Sequence, residues 1–271
     1  MPDDKIYRIK IGEIKMSSEN NSPLSFSGSQ AVEHLKANLF SYFEKVGLNP
    51  YITEEWKKGI FQLFNIQVIN MPNLDDNNYI ILSNHISDFD GIILGLLNPN
   101  IRIIAKIGWA TNRELMDFLS LHYNIVGIYR DFEIADLTGE ERTAAEEHNI
   151  KINMESYKYL KNKNDPHHLL IFPQGTISDI NKNSKERINP SFARIAAATK
   201  TSIINIFIEY PGSGATRIIG SAPYNITDKS LDYREIWLRD MIALQNQLDN
   251  VREPVLSDKH TFNNNPSEPF F

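Results

Sequence analysis

Tyr79-Ile80-Ile81-Leu82-Ser83-Asn84-His85-Ile86-Ser87-Asp88-Phe89-Asp90-Gly91-Ile92-Ile93-Leu94-Gly95-Leu96-Leu97 decides how this chain is read. Its opening apolar run has the length of a buried strand, and its closing run reads as the start of a helix. The polar segment from Ser83 to Asp90 therefore sits at a strand end, where α/β folds place their chemistry. A second stretch, Leu169-Leu170-Ile171-Phe172-Pro173-Gln174-Gly175-Thr176, has the same form of strand followed by turn.

Outward from these stretches, strand-like and helix-like segments alternate. Strands are expected over 66–71, 79–83, 101–106, 124–130, 169–172, 202–210 and 217–221. Helices are expected from the His/Asp stretch to Leu97, and over 112–121, 150–161, 190–200 and 231–251. Residues 131–148 are densely charged and read as a solvated loop or mobile segment. Ahead of these lie an edge strand or extended arm over 5–14 and a Ser/Asn-rich loop over 17–30. Two amphipathic helices follow, over 31–46 and 53–64, suited either to packing on the domain or to lying on a membrane surface. The pattern predicts an α/β fold, a mixed sheet flanked by helices, with a small helical N-terminal extension. The expected division is an arm and helical cap over 1–64, one catalytic domain over 65–251, and a loosely held tail over 252–271.

Composition narrows the functional classes. Hydrophobic residues make up 41% of the 271, enough for a real core. The formal net charge of -6 argues against a general nucleic-acid binder, which needs a basic face. It leaves room for a local basic pocket that holds one phosphate. The absence of cysteine excludes a disulfide framework, a thiolate metal site and a Cys nucleophile. The first residues lack the basic-then-apolar form of a signal peptide, and no stretch approaches the roughly 20 apolar residues of a membrane span. Any membrane contact is expected to be peripheral, with the protein in the cytoplasm.

A neutral imidazole can take the proton of a hydroxyl as that hydroxyl attacks a carbonyl, and a carboxylate improves it by fixing the tautomer. His85 and Asp90 could form such a pair, the Asp folding back towards Nδ1 across the strand-to-helix turn. No Gly-x-Ser-x-Gly elbow occurs, so the His is expected to activate a substrate hydroxyl rather than a nucleophile of the enzyme. The competing reading is a His bonded to the strand end, with Asp88 or Asp90 capping the helix. A cation held by His85, Asp88 and Asp90, or by His167 and His168, fits no standard ligand spacing, and no metal is expected.

Asn84-His85-Ile86-Ser87-Asp88-Phe89-Asp90 resembles the Asn-His-x-Ser-x-x-Asp motif of the glycerolphosphate and lysophosphatidate acyltransferase superfamily. Phe172-Pro173-Gln174-Gly175-Thr176 resembles that family's Phe-Pro-Glu-Gly-Thr motif. Gly127-Ile128-Tyr129-Arg130 looks like the intervening motif that ends in an Arg, and Ile104-Ala105-Lys106 like the Ala-Lys segment upstream of it. Ser202-Ile203-Ile204-Asn205-Ile206 falls where the family has a Val-Pro-type strand, without the Pro. The motifs occur in family order over roughly 66–225.

The resemblance implies transfer of a fatty acyl group from an acyl thioester to a hydroxyl of a lysophospholipid or a glycerol phosphate-like acceptor. By it His85 is the general base and Asp90 its partner. Arg130, Lys106, Gln174, Gly175, Thr176 and Ser87 fall at substrate-binding positions. The donor is acyl-CoA or acyl-carrier protein, used as substrate, and no cofactor is implied. Lys182, Lys185, Arg187 and Arg194 are candidates for a basic patch that receives the acidic carrier protein. Arg130 has a second reading, an ion pair with Asp131 or Glu133. Gln174 departs from the family's Glu, and Ile177 stands where Arg is frequent, which leaves the acceptor open. A non-phosphate hydroxyl or an amine, hydrolysis of the thioester by water activated at His85, and a lipid-binding relative that has lost catalysis are the alternatives.

Overall fold

The computed structural model describes residues 61, 65–87, 89–107, 123–162, 164–210, 216–228 and 230–250. The expected arm and helices of the first 64 residues lie outside them, Phe61 excepted. So do the helix expected over 112–121 and the tail over 252–271.

Among the described residues seven strands form one mixed sheet: β1 (Ile66–Ile69), β2 (Tyr79–Ser83), β3 (Ile101–Lys106), β4 (Asn124–Ile128), β5 (His168–Ile171), β6 (Ser202–Glu209) and β7 (Thr216–Gly220). Their order across the sheet is β1-β7-β6-β2-β5-β3-β4. Five neighbouring strands, β6 through β4, are parallel, while β7 pairs antiparallel with β6 and parallel with β1. β2 and β5, central in the parallel part, read as apolar runs because both of their faces are covered.

β6 makes this plain. Ile204, Ile206 and Ile208 belong to one core cluster, with Ile81 of β2 and Ile92, Ile93 and Leu94 of the first helix. Ile203 and Phe207 belong to the other, with Ile80 and Leu82 of β2 and the helices of the opposite layer. Alternation along each strand therefore serves two cores. The first is covered by α1 (Asp90–Gly95). The second lies under α3 (Gly139–Leu160), α4 (Ser191–Thr199) and α5 (Tyr233–Asn250), the last of which buries Trp237, Met241, Leu244 and Leu248.

The charged segment 131–148 corrects the sequence reading. It is not a loop: α2 (Asp131–Asp136) and the first half of α3 occupy it. The 22-residue α3 buries only Ala145, Ile152, Ser156 and Leu160. These positions share one narrow stripe, but a small and a polar residue among them hide its period. Good helix formers, two acidic residues in the first turn and the Arg142–Glu146 pair at 3.0 Å sustain the exposed remainder. The helix expected from Ile150 thus begins eleven residues earlier, at Gly139. Elsewhere boundaries shift by a residue or two: α1 ends at Gly95 rather than Leu97, and β4 ends at Ile128 rather than Arg130.

The topology has one consequence for chemistry. Parallel strands end on the same side, so the segments after β2, β5, β3, β4 and β6 converge at one edge of the sheet. The His/Asp stretch, the Gln-Gly turn, Lys106, Arg130 and Tyr210 all occupy such positions.

Candidate active site

β2 is paired on both sides, and its end is prolonged by a side chain. The Asn84 amide donates to the Ile208 carbonyl and accepts from the Ile208 N–H, each at 2.8 Å. It copies a backbone pairing to β6 at the point where the main chain turns away. A primary amide suits this, since it presents a donor and an acceptor side by side.

Beyond it, Asp90 is wholly buried. Its Oδ2 accepts from the Ile86 N–H at 2.7 Å, from the Ser87 N–H at 2.9 Å and from the His85 ring, with Nδ1 at 3.0 Å. Oδ1 accepts from the Tyr210 hydroxyl at 2.6 Å. A buried carboxylate is costly unless its lone pairs are occupied, and here they are. Burial and the Asp90 charge push the Tyr210 phenol well above its usual range, so it stays a donor. Asp90 thus folds back onto its own turn instead of capping the helix. Ser87 is buried, and its hydroxyl accepts from the Phe89 N–H at 3.3 Å.

The His85 ring lies against Phe172, with centroids 4.4 Å apart and planes 26° from parallel. Its side chain is 17% exposed, and Nε2 takes no hydrogen bond from any described residue. A ring with Nδ1 on a carboxylate and Nε2 open is set up to accept a proton at Nε2.

Gln174 is buried and spent on the scaffold. Its Oε1 accepts from the His85 N–H at 2.6 Å, while Nε2 donates to the Ser178 carbonyl at 2.9 Å and to the Ser178 hydroxyl at 2.8 Å. The Ser178 N–H donates to the His85 carbonyl at 2.8 Å. The turn after β5 therefore grips the backbone of His85 from both sides. Gly175 adopts a φ of +66°, a conformation that favours glycine, and its N–H closes the turn on the Phe172 carbonyl. Gly175 and Thr176 are exposed on the rim.

Arg130 reaches this rim, its Nη1 3.5 Å from the Gly175 carbonyl. Its Nη2 lies 2.9 Å from Glu133 Oε1, and Lys106 Nζ lies 3.0 Å from the same oxygen. The ion pair with Glu133, weighed from the sequence as one reading of Arg130, is formed. Burial raises the Glu133 pKa, but the hydrogen bonds from Arg130 and Lys106 outweigh it and hold the carboxyl at about 2. Among the described residues no cluster of three His, Cys, Asp or Glu side chains is placed to hold a metal, and Asp88 lies outside them.

The acyltransferase family model matches residues 65–209, more than half of the chain and every element that converges on this edge. The chain belongs to the acyltransferase family. No curated protein matches this acyltransferase. Among solved structures its fold is similar to that of the 1-acyl-sn-glycerophosphate acyltransferase PlsC from Thermotoga maritima. That likeness covers 83% of this chain and 96% of the other, at 14% identity and a TM-score of 0.50. It supports a shared fold with helices on both faces of a mixed sheet.

Sequence reasoning missed Tyr210 and the stacking of Phe172 in this acyltransferase. Tyr210 bonds a residue 120 positions away, and no local pattern announces such a partner. The only signal was a tyrosine closing an apolar strand just before Pro211-Gly212. No described helix is long and apolar enough to cross a membrane.

Proposed function

We propose that this acyltransferase moves a fatty acyl group from an acyl thioester, acyl-CoA or acyl-carrier protein, to a hydroxyl of a lysophospholipid or a glycerol phosphate-like acceptor. The observation that carries the reading is the His85–Asp90 pair at 3.0 Å with Nε2 open at the edge where five strands end. His85 Nε2 takes the acceptor's proton as its oxygen attacks the thioester carbon. The Asp90 carboxylate, held by two N–H groups and Tyr210, stabilises the imidazolium. Collapse of the tetrahedral intermediate breaks the C–S bond, and the proton passes from His85 to the departing thiolate. No covalent acyl-enzyme is needed.

Lys106 and Arg130, with Gly175 and Thr176 on the rim, receive the acceptor's phosphate, and Gln174 and Ser87 hold the turns that shape its seat. The domain over 65–251 carries the chemistry. Residues 1–64 and the tail after the domain are accessory, and any peripheral contact with the inner face of the membrane, from the cytoplasm, is made through the former.

The test is product analysis by mass spectrometry. Both donor types are offered with a set of lysophospholipids, glycerol phosphate, neutral hydroxyls and amines, and with no acceptor at all. Acylated acceptor is expected. Free fatty acid formed at the same rate with and without acceptor would make the protein a hydrolase. His85→Ala is expected to lower kcat by at least about a hundredfold, the usual range for loss of a general base. Unchanged transfer in that variant would sink the mechanism. Vesicle binding with and without residues 1–64 checks the membrane role.

A further inference from the structure

Lys106 closes β3, and Arg130 follows β4, the neighbouring parallel strand. Sheet register brings the two cations together at the rim of the site. The carboxylate that joins them comes from the first turn of α2. Glu133 Oε1 lies 3.0 Å from Lys106 Nζ and 2.9 Å from Arg130 Nη2. Oε2 accepts from the Arg130 backbone N–H at 2.9 Å. The carboxylate is therefore anchored at both oxygens, one of them to main chain, and is not a passing surface partner. Arg130 Nη1 faces the carbonyl of Gly175, the residue after the Gln174 that braces His85. The ion cluster and the open imidazole thus flank one turn.

Two cations and one fixed anion leave a single net positive charge. A phosphate monoester carries about -1.5 to -2 near pH 7, because its second pKa is near 6. A phosphodiester carries one negative charge and has no second proton to lose. We propose that Glu133 is a specificity-determining residue: it trims the seat to one positive charge, so the acceptor is a lysophospholipid whose phosphate is a diester rather than a free monoester. The inference rests on the proposed acyl transfer to a lysophospholipid and names the class within it. Bonds to the Arg130 side chain, the Arg130 main chain and Lys106 oppose displacement of Glu133 by an incoming phosphate. A monoester would have to leave its excess charge beside that carboxylate. A diester meets an equal and opposite charge.

Binding is measured by calorimetry on the full chain without acyl donor, so that nothing turns over. The probes are short-chain lysolipids below their micelle concentrations: a monoacylglycerol phosphate, the matching phosphoglycerol diester, and a neutral monoacylglycerol. The wild type is expected to bind the diester more tightly than the monoester or the neutral lipid. Glu133→Gln keeps an acceptor for the Arg130 N–H while removing the charge. It should move the ratio of monoester to diester affinity about tenfold towards the monoester, as one added net charge at a half-exposed site would. Glu133→Asp keeps the charge, and its ratio should stay on the wild-type side.

A wild type that prefers the monoester, a neutral lipid bound as tightly as the diester, or a ratio that Glu133→Gln does not move would overturn the assignment. Thermal melts confirm that both variants fold. The two claims separate cleanly. The expected affinity ratios with no acyl product would leave the seat standing and remove the acyl-transfer reading. Product formed with an unmoved ratio would do the reverse.

Discussion

Asp90 is the residue through which most of the site's order passes. His85, the turn's own N–H groups and Tyr210 all bond to it. Its pairing with His85 was legible in the sequence because only four residues and one turn separate them. Tyr210 was not, because only the pairing of β2 with β6 brings it near. Removing its hydroxyl in Tyr210→Phe leaves one oxygen of a buried carboxylate without a partner. That should cost about 1–3 kcal/mol of stability, read from urea unfolding. It should also lower kcat more than it raises KM, since Tyr210 bonds the Asp90 carboxylate that holds His85. An unchanged kcat with lowered stability would reduce Tyr210 to a packing residue.

At the level of elements, the site is a joint between two strand ends, β2 and β5, and Gln174 is the pin. Where the family has Glu, this chain uses both halves of an amide: the oxygen accepts from His85, and the nitrogen donates to the Ser178 carbonyl and hydroxyl. A Glu would turn a carboxylate oxygen towards that carbonyl. Gln174→Glu is therefore expected to destabilise the turn by about 1–3 kcal/mol and to reduce acyl transfer. Denaturant midpoints and kcat check it, and a more active variant would contradict the brace. From the sequence this departure left the acceptor open, with its preference or geometry expected to change. The partner that explains the amide, Ser178, lies four residues on in an irregular loop, where neither helical nor strand spacing applies. The same limit hid α3, whose buried stripe runs through Ala145 and Ser156. Strands were easier to read, because central parallel strands must be apolar on both faces and so appear as continuous runs.

Across the whole molecule, the candidate site and the buried His168 sit at opposite ends of the sheet. His168 begins β5, at the end of that strand away from the site, stacked on Tyr79 with centroids 5.8 Å apart and fully buried. Burial, with a smaller push from His167, lowers its pKa from 6.5 to about 4, and the Asp75 charge opposes only in part. The folded state therefore keeps this ring neutral where the unfolded chain would protonate it. Its contribution is complete above pH 6.5, is lost as pH falls towards 4, and changes no further below that. Unfolding midpoints of the wild type should drop across that window, and His168→Phe should flatten this part of the slope. Parallel slopes in the two proteins would show that other groups govern it. The sequence by itself determined the strands, the expectation of an α/β fold and the His-to-Asp spacing, because these depend on apolar runs and on residues a few positions apart. Tertiary structure alone decided that β5 lies between β2 and β3, that Tyr210 bonds Asp90, that Gln174 braces the backbone of His85, and that Glu133 joins Lys106 to Arg130. Each of these is a contact between segments distant along the chain or in irregular turns, and it exists only once parallel strands have brought their ends to one edge.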